Sequence, residues 1–267
     1  NAKSGRCSQD CAFCAQSAHH KTQVETYPLL PASEMVERGL EMAEADATHY
    51  SMVTSGFQLS DAEIDAVCEA AAAVKSQTAL TLCCSIGVLS RKQAERLLQS
   101  GVQNYHHNLE TARSYFDRVC TTHAYDADIE SIRVAADAGL NICSGGILGL
   151  GESWEQRIEL AMTLRDIGVS KVPLNFINPI PGTRMADRPK LTPKDALKSI
   201  ALFRFVHPDK DITICGGRDV TLGDFQSWIF YAGANGVMTG NYLTTTGRNI
   251  ETDKQMIADW RGVSAGE

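Results

Sequence analysis

The sequence predicts an α/β fold, a (β/α)8 barrel of the TIM type. Short apolar runs alternate with amphipathic stretches along all 267 residues, no low-complexity linker or repeat interrupts them, and polar or thiol residues recur at the carboxyl ends of the apolar runs. Strand–helix alternation of this kind gives parallel strands joined by crossover helices. A chain of this length supports one large core. Residues 1–267 are therefore read as a single domain, with residues 211–267 completing the barrel.

The first strand candidate is His49–Thr54. Ala79–Ser85, Gln103–Leu109, Asn141–Gly145, Lys171–Phe176, Ile212–Cys215 and Gly236–Thr239 follow it. Between them, Ala62–Val74 has apolar residues at helical spacing and Ser90–Leu98 opens on a serine N-cap. Trp154–Ile167 follows Ser153 as a second cap, and Pro193–Phe205 puts a proline in the first turn after Thr192. These are seven strands. An eighth, expected upstream of Asn1, closes the barrel, because the chain starts directly before its first cysteine cluster. An open doubly wound sheet is the alternative. The loop Gly145–Glu152 (GGILGLGE) argues against it, since Trp154 stands where the third glycine of a dinucleotide fingerprint belongs.

The balance of 25 basic against 32 acidic residues gives a net charge of −7 with both signs scattered, which disfavours nucleic-acid binding. No apolar run reaches the length of a bilayer span, and nothing resembles a secretory signal. Nine cysteines, an odd number and partly clustered, make a poor disulfide framework. They read as metal ligands in a reducing compartment, with the cytoplasm as the expected location.

The strongest local signal is Cys7-Ser-Gln-Asp-Cys11-Ala-Phe-Cys14. Three thiolates on so short a loop can bind three corners of a [4Fe-4S] cube. The remaining iron is then open to the amino and carboxylate groups of S-adenosylmethionine (SAM). Zinc is the alternative, with His19 or His20 completing a Cys3His site. Phe13 fits an aromatic beside the adenine, or a loop residue covering a core edge. In a barrel the chemistry sits at the carboxyl ends of the strands. Those ends carry Cys83, Asn108, Cys143, Asn175 and Cys215. Any one of these cysteines could be inert packing; several at one rim point to a site.

The segments KSGRCSQDCAFCAQS, HHNLETA, CSGGILGLGES, PLNFINPIPGT and AGANGVMTGNYLTTTG, in that order, resemble the biotin synthases, a family of radical SAM enzymes. The resemblance implies a (β/α)8 barrel that inserts sulfur into dethiobiotin. Hydrogen abstraction is by the 5′-deoxyadenosyl radical, and the sulfur comes from an auxiliary iron–sulfur cluster. It further implies a homodimer and an electron donor such as flavodoxin or ferredoxin. Position by position, Cys7, Cys11 and Cys14 would hold the SAM cluster, and Asn108 and Asn175 would meet substrate or SAM. Glu110 would contact the SAM ribose. Gly145, Ile147, Gly149 and Glu152 match a G-x-I-x-G-x-x-E pattern in which Ile147 packs on adenine. The glycines also suit a tight strand-to-helix connection.

The chain departs from the family at the auxiliary cluster, where three cysteines and an arginine are usual. Cys83 and Cys143 match two positions, while Ser51 and Thr213 occupy the others. Cys215 lies two residues beyond Thr213 and so shares its strand face. Cys83, Cys143 and Cys215 are therefore expected to converge, and a four-iron cluster is expected in place of [2Fe-2S]. Cys84 should face the opposite way, and Cys68 and Cys120 read as packing thiols. His106 replaces an asparagine. Asp128 stands where an arginine would hold the SAM carboxylate, leaving Arg218 as a candidate substitute. Two other classes stay open: a related radical SAM barrel, such as the [FeFe]-hydrogenase maturase or methylornithine synthase, and a non-catalytic zinc or iron–sulfur protein.

Overall fold

A computed structural model describes residues 1–262; the last five residues of the expected domain, 263–267, lie outside the described residues. The elements run α1 (Ala32–Glu44), β1 (His49–Val53), α2 (Asp61–Gln77), β2 (Thr81–Ser85), α3 (Arg91–Gln99) and β3 (Val102–His106). Next come α4 (Arg113–Phe116), α5 (Tyr125–Asp137), β4 (Asn141–Cys143), β5 (Gly146–Leu148), α6 (Trp154–Asp166) and β6 (Lys171–Phe176). The last are α7 (Pro193–Val206), β7 (Asp211–Ile214), α8 (Arg218–Leu222), α9 (Trp228–Tyr231), β8 (Gly236–Val237) and α10 (Ile250–Arg261).

All pairings between these strands are parallel, in the order β1-β2-β3-β4-β6-β7-β8, with β5 also on β6. β4 and β5 are two halves of one expected strand. Cys143 pairs with Lys171 and Gly146 with Leu174, and the chain leaves the ladder between them. Seven strand positions result. β1 and β8 are the two edges and do not pair with each other among the described residues, so these strands form a half-barrel in place of the expected closed barrel, and the free side of β1 carries one parallel bridge, between Thr54 and Lys3. It is fixed by Ala2 N–H donating to Val53 O at 2.7 Å and Ser55 N–H to Lys3 O at 2.9 Å.

Capping explains which helices the sequence announces. Ser90 and Ser153 each accept from the N3 backbone while the N3 glutamine returns a bond, and Ser60 does the same with Glu63. Thr192 accepts from Asp195 N–H ahead of Pro193. By contrast α1 and α5 follow Pro31 and Ala124, which give no side-chain cap. These helices are held by packing, with Met35, Ile129 and Ile132 buried.

Strand alternation divides the residues. Met52, Leu82, Cys84, Tyr105, Ile142, Leu174 and Ile212 are buried under the helices, against Ile64, Val67, Val74, Leu97 and Phe203. Each large apolar side chain so buried contributes about 1.5–3 kcal/mol. Cys84 is fully buried on this outer face and Cys83 lies on the opposite one, as expected. Among the described residues no helix is long and apolar enough to cross a membrane.

Candidate functional site

The cysteine loop precedes α1 and folds back on itself. Cys7 N–H donates to Gln16 O at 2.9 Å, Ala18 N–H to Cys7 O at 2.8 Å, and Cys14 N–H to Cys11 O at 2.9 Å. Cys7, Cys11 and Cys14 are free and half-buried. Burial pushes the Cys14 thiol up to about 11. Three free thiols on one loop are donors that a bound cation would deprotonate, so the donor set suits a metal group. Zinc fits poorly. Both histidines turn to backbone instead: His19 Nε2 lies 3.0 Å from Ser8 O and His20 Nδ1 2.8 Å from Cys14 O. A cubane, which spreads its thiolates over separate irons, is the better match.

Above this loop an apolar patch of Ala12, Val119, Leu150, Ile177 and Met185 packs with Phe13 and Ile147. Phe13 and Ile147 thus lie at the partly buried edge of one apolar cluster beside the loop. The loop carrying Ile147 is stapled by Glu152, whose carboxylate accepts from Gly149 N–H at 2.8 Å, Gly151 N–H at 3.0 Å and Arg157 Nε at 2.7 Å. Gly145 serves packing: a Cβ there would sit 1.8 Å from Pro173 O on β6. The two asparagines also tie backbone. Asn108 accepts from Gly145 N–H at 3.1 Å and donates to Glu110 at 3.3 Å, while Asn175 accepts from Gly216 N–H at 2.8 Å and donates to Gly146 O at 3.3 Å. Glu110 sits at a φ of 62°, and burial followed by the Asp128 charge raises its carboxyl to about 8.

Deeper in the lumen, Cys83 and Cys143 lie on β2 and β4, and Cys215 directly follows the last residue of β7. All three thiols are raised, chiefly by burial; Cys215 reaches about 12. Cys143 is raised further by the charges of Cys215 and then Cys83. Asn104 Nδ2 is 3.3 Å from Cys83 Sγ, and His106 Nδ1 is 3.4 Å from Cys143 Sγ. Ser51 pairs in register with Cys83, and Thr213 faces Pro173.

Residues 2–164 match the radical SAM superfamily, and residues 173–261 match the biotin and thiamin synthesis associated domain. The biotin synthase of Syntrophus aciditrophicus is 58% identical over 257 residues, covering 96% of this chain and 79% of that protein. That of Nitratidesulfovibrio vulgaris (strain Miyazaki F) is 53% identical, covering 97% and 73%. This chain belongs to the biotin synthase family. The fold agrees with solved radical SAM barrels. Methylornithine synthase superposes with a TM-score of 0.78 at 18% identity, covering 98% of this chain and 80% of its own. The [FeFe]-hydrogenase maturase HydG gives 0.79 at 14%, covering 97% and 61%. At such identity these two likenesses concern the fold alone.

Against the biotin synthase pattern, three positions behave in ways the sequence did not announce. Asp128, in the arginine's place, accepts from His107 Nε2 at 2.8 Å and from His123 Nε2 at 3.2 Å. Although burial alone would lower it, hydrogen bonding to Asp128 and then Cys120 lifts His123 to about 10. Arg218 is not a free SAM-carboxylate partner. It is fully buried and pairs with Asp253 Oδ2 on α10 at 2.6 Å and with Gln226 Oε1 at 2.9 Å. Cys120 is more than a packing thiol. It is buried in the core as expected, its Sγ lies 3.3 Å from His123 Nδ1 and 3.4 Å from Thr122 Oγ1, and the nearby Cys11 and these groups draw the thiol down to about 4. Its only sequence signal was a cysteine three residues before a histidine.

Proposed function

We propose that this chain is a biotin synthase that forms biotin from dethiobiotin, with Cys7, Cys11 and Cys14 holding a [4Fe-4S] cluster and Cys83, Cys143 and Cys215 holding an auxiliary cluster of the four-iron type. The observation that carries the reading is two sets of three free thiols, one on the loop at the mouth and one on lumen-facing strand positions, in a chain 58% identical to a biotin synthase. When bound, the cluster and SAM supply one electron and a 5′-deoxyadenosyl radical, and the auxiliary cluster supplies sulfur.

The chain's own residues position and enclose. Phe13 and Ile147 provide the apolar adenine wall, and Glu152 keeps the Ile147 loop in place. With its carboxyl raised to about 8, Glu110 is a neutral acid at pH 7 and can donate a hydrogen bond to a ribose hydroxyl. Asn108 and Asn175 fix the strand ends that face the substrate. The barrel walls exclude water and stray hydrogen donors from a radical that would react with either. Free thiols suit a reducing cytoplasm, and an acidic one-electron carrier such as flavodoxin or ferredoxin supplies the electron.

Anaerobic reconstitution followed by iron and sulfide analysis, then incubation with SAM, reductant and dethiobiotin, tests this. Wild type should hold about eight irons and release 5′-deoxyadenosine and biotin. Cys215→Ser should lose the auxiliary irons and biotin formation but retain the first cluster. Full auxiliary iron in Cys215→Ser would remove that residue from the ligand set.

A further inference from the structure

The outer side of the cysteine loop carries a cavity of about 420 Å³ whose wall includes Ala12, Tyr115, Arg118, Arg184, Asp187 and Arg188. Three arginines face Asp187 and the Asp10 carboxylate, which lies 3.4 Å from Arg184, so a positive excess remains, carried by Arg118 and Arg188, on a chain whose net charge is −7. Arg118 and Arg188 form no ion pair among the described residues; Arg188 only reaches Tyr115 Oη, at 3.5 Å. Arg118 is exposed and Arg188 half-exposed. The cavity is built into the fold. Gly151, at a φ of 115°, leaves the space that Arg188 occupies, since a Cβ there would meet its Nη2 at 2.3 Å.

Its floor is the loop itself. Ala12 lies between Cys11 and Cys14, and it is buried. Arg184 donates to the carbonyl of Asp10 at 2.5 Å and to that of Val119 at 3.1 Å. Asp10 is covalently joined to Cys11, so this surface is one hydrogen bond and one peptide away from a thiolate ligand. A second cavity, lined by Phe57, Leu89 and Val134, does not include the loop.

We propose that the arginine-rimmed cavity is the docking surface for an acidic one-electron carrier protein, and that electrons enter through the Arg184–Asp10–Cys11 contact. The proposal rests on the reading of the loop as a SAM-cluster site. Charge complementarity selects the partner, because an acidic carrier meets repulsion over most of an acidic chain and attraction here. The attraction acts within about 8 Å at physiological salt, so it orients the partner only at close range.

The test is the double variant Arg118→Glu/Arg188→Glu, with Arg133→Glu on the exposed face of α5 as a control for net charge. Arg184 is left intact because it braces the loop. Reduction of the reconstituted enzyme is driven either by reduced flavodoxin or by dithionite, a small reductant that needs no docking surface. The expected result is at least a tenfold rise in KM for flavodoxin, a flattened salt dependence, and unchanged 5′-deoxyadenosine release with dithionite. A flavodoxin KM within twofold of wild type, or no larger than the rise in Arg133→Glu, overturns the proposal. So does a parallel loss with dithionite, which would place these arginines in the cluster site. Calorimetric binding of oxidised flavodoxin gives a readout independent of catalysis. If wild type released no 5′-deoxyadenosine with dithionite, the radical SAM reading would fail, and binding lost only in the double variant would still support docking.

Discussion

Replacing Glu152 separates a positioning role from a direct SAM contact. Its side chain is 2% exposed and Arg157 is 7% exposed, so both charges are out of water. Glu152→Ala leaves the N–H groups of Gly149 and Gly151 without an acceptor and strands a guanidinium whose remaining partners are Ser199 Oγ at 3.1 Å and the Trp154 ring at 4.6 Å. Removing one partner of a buried pair costs about 3–5 kcal/mol, and an orphaned buried donor about 1–3 kcal/mol. These overlap, and about 4 kcal/mol is expected for Glu152→Ala. Glu152→Gln keeps one acceptor oxygen and should cost about 2 kcal/mol. Such losses are large beside the 5–15 kcal/mol total of an ordinary domain. The assay is urea unfolding of the apoprotein in anaerobic buffer. Glu152→Ala/Arg157→Ala should be less destabilised than the sum of its parts, because the stranded charge is gone. A Glu152→Ala loss under about 1 kcal/mol, or strict additivity, would refute the staple.

Gly145→Ala drives a methyl into Pro173 O and should cost about 3 kcal/mol, read as a fall in thermal midpoint of roughly 6–12 °C. Glu110 gives a pH dependence. Its folded pKa of about 8 lies above the ordinary 4.5, so the stability of its neutral form is complete below pH 4.5 and is lost as pH rises through 8. The gap between 8 and 4.5 caps that loss at about 5 kcal/mol. With lumen water, about 2 kcal/mol is expected from urea midpoints at pH 5 and 9, and Glu110→Gln should flatten it. Cys120→Ser should leave the iron of the first cluster unchanged on analysis; its loss would make Cys120 a fourth ligand.

The fold was legible where local signals agree with packing. Serine caps at positions 90 and 153 and the period of two in the strands put helices and lumen faces where they are found. α1 and α5 were hidden because their N-caps are Pro31 and Ala124. The expected strand Asn141–Gly145 breaks after Cys143, since Gly145 is crowded against Pro173. In the site, covalent neighbours were readable and tertiary partners were not. Spacing groups Cys7, Cys11 and Cys14, and parity aligns Thr213 with Cys215. No spacing joins Cys120 to Cys11 or Arg218 to Asp253; those pairs exist because loops converge over the barrel mouth.

Asp128 is buried and paired with two histidines, His107 and His123. An aspartate alone would add a negative charge beside Glu110, and indeed it helps hold Glu110 neutral. It also holds His123, whose Nδ1 faces Gln9 Oε1 at 2.8 Å while Nε2 faces Asp128. With an acceptor at each nitrogen, the ring carries both protons. The Asp128 carboxylate and the His123 imidazolium therefore form a buried pair that is close to neutral, where a lone aspartate would leave a bare negative charge. Because Gln9 lies within the cysteine loop, that imidazolium ties the loop to α5. His123→Gln should therefore loosen the loop's hold on iron as well as alter SAM affinity, whereas a role confined to the SAM carboxylate would change affinity alone.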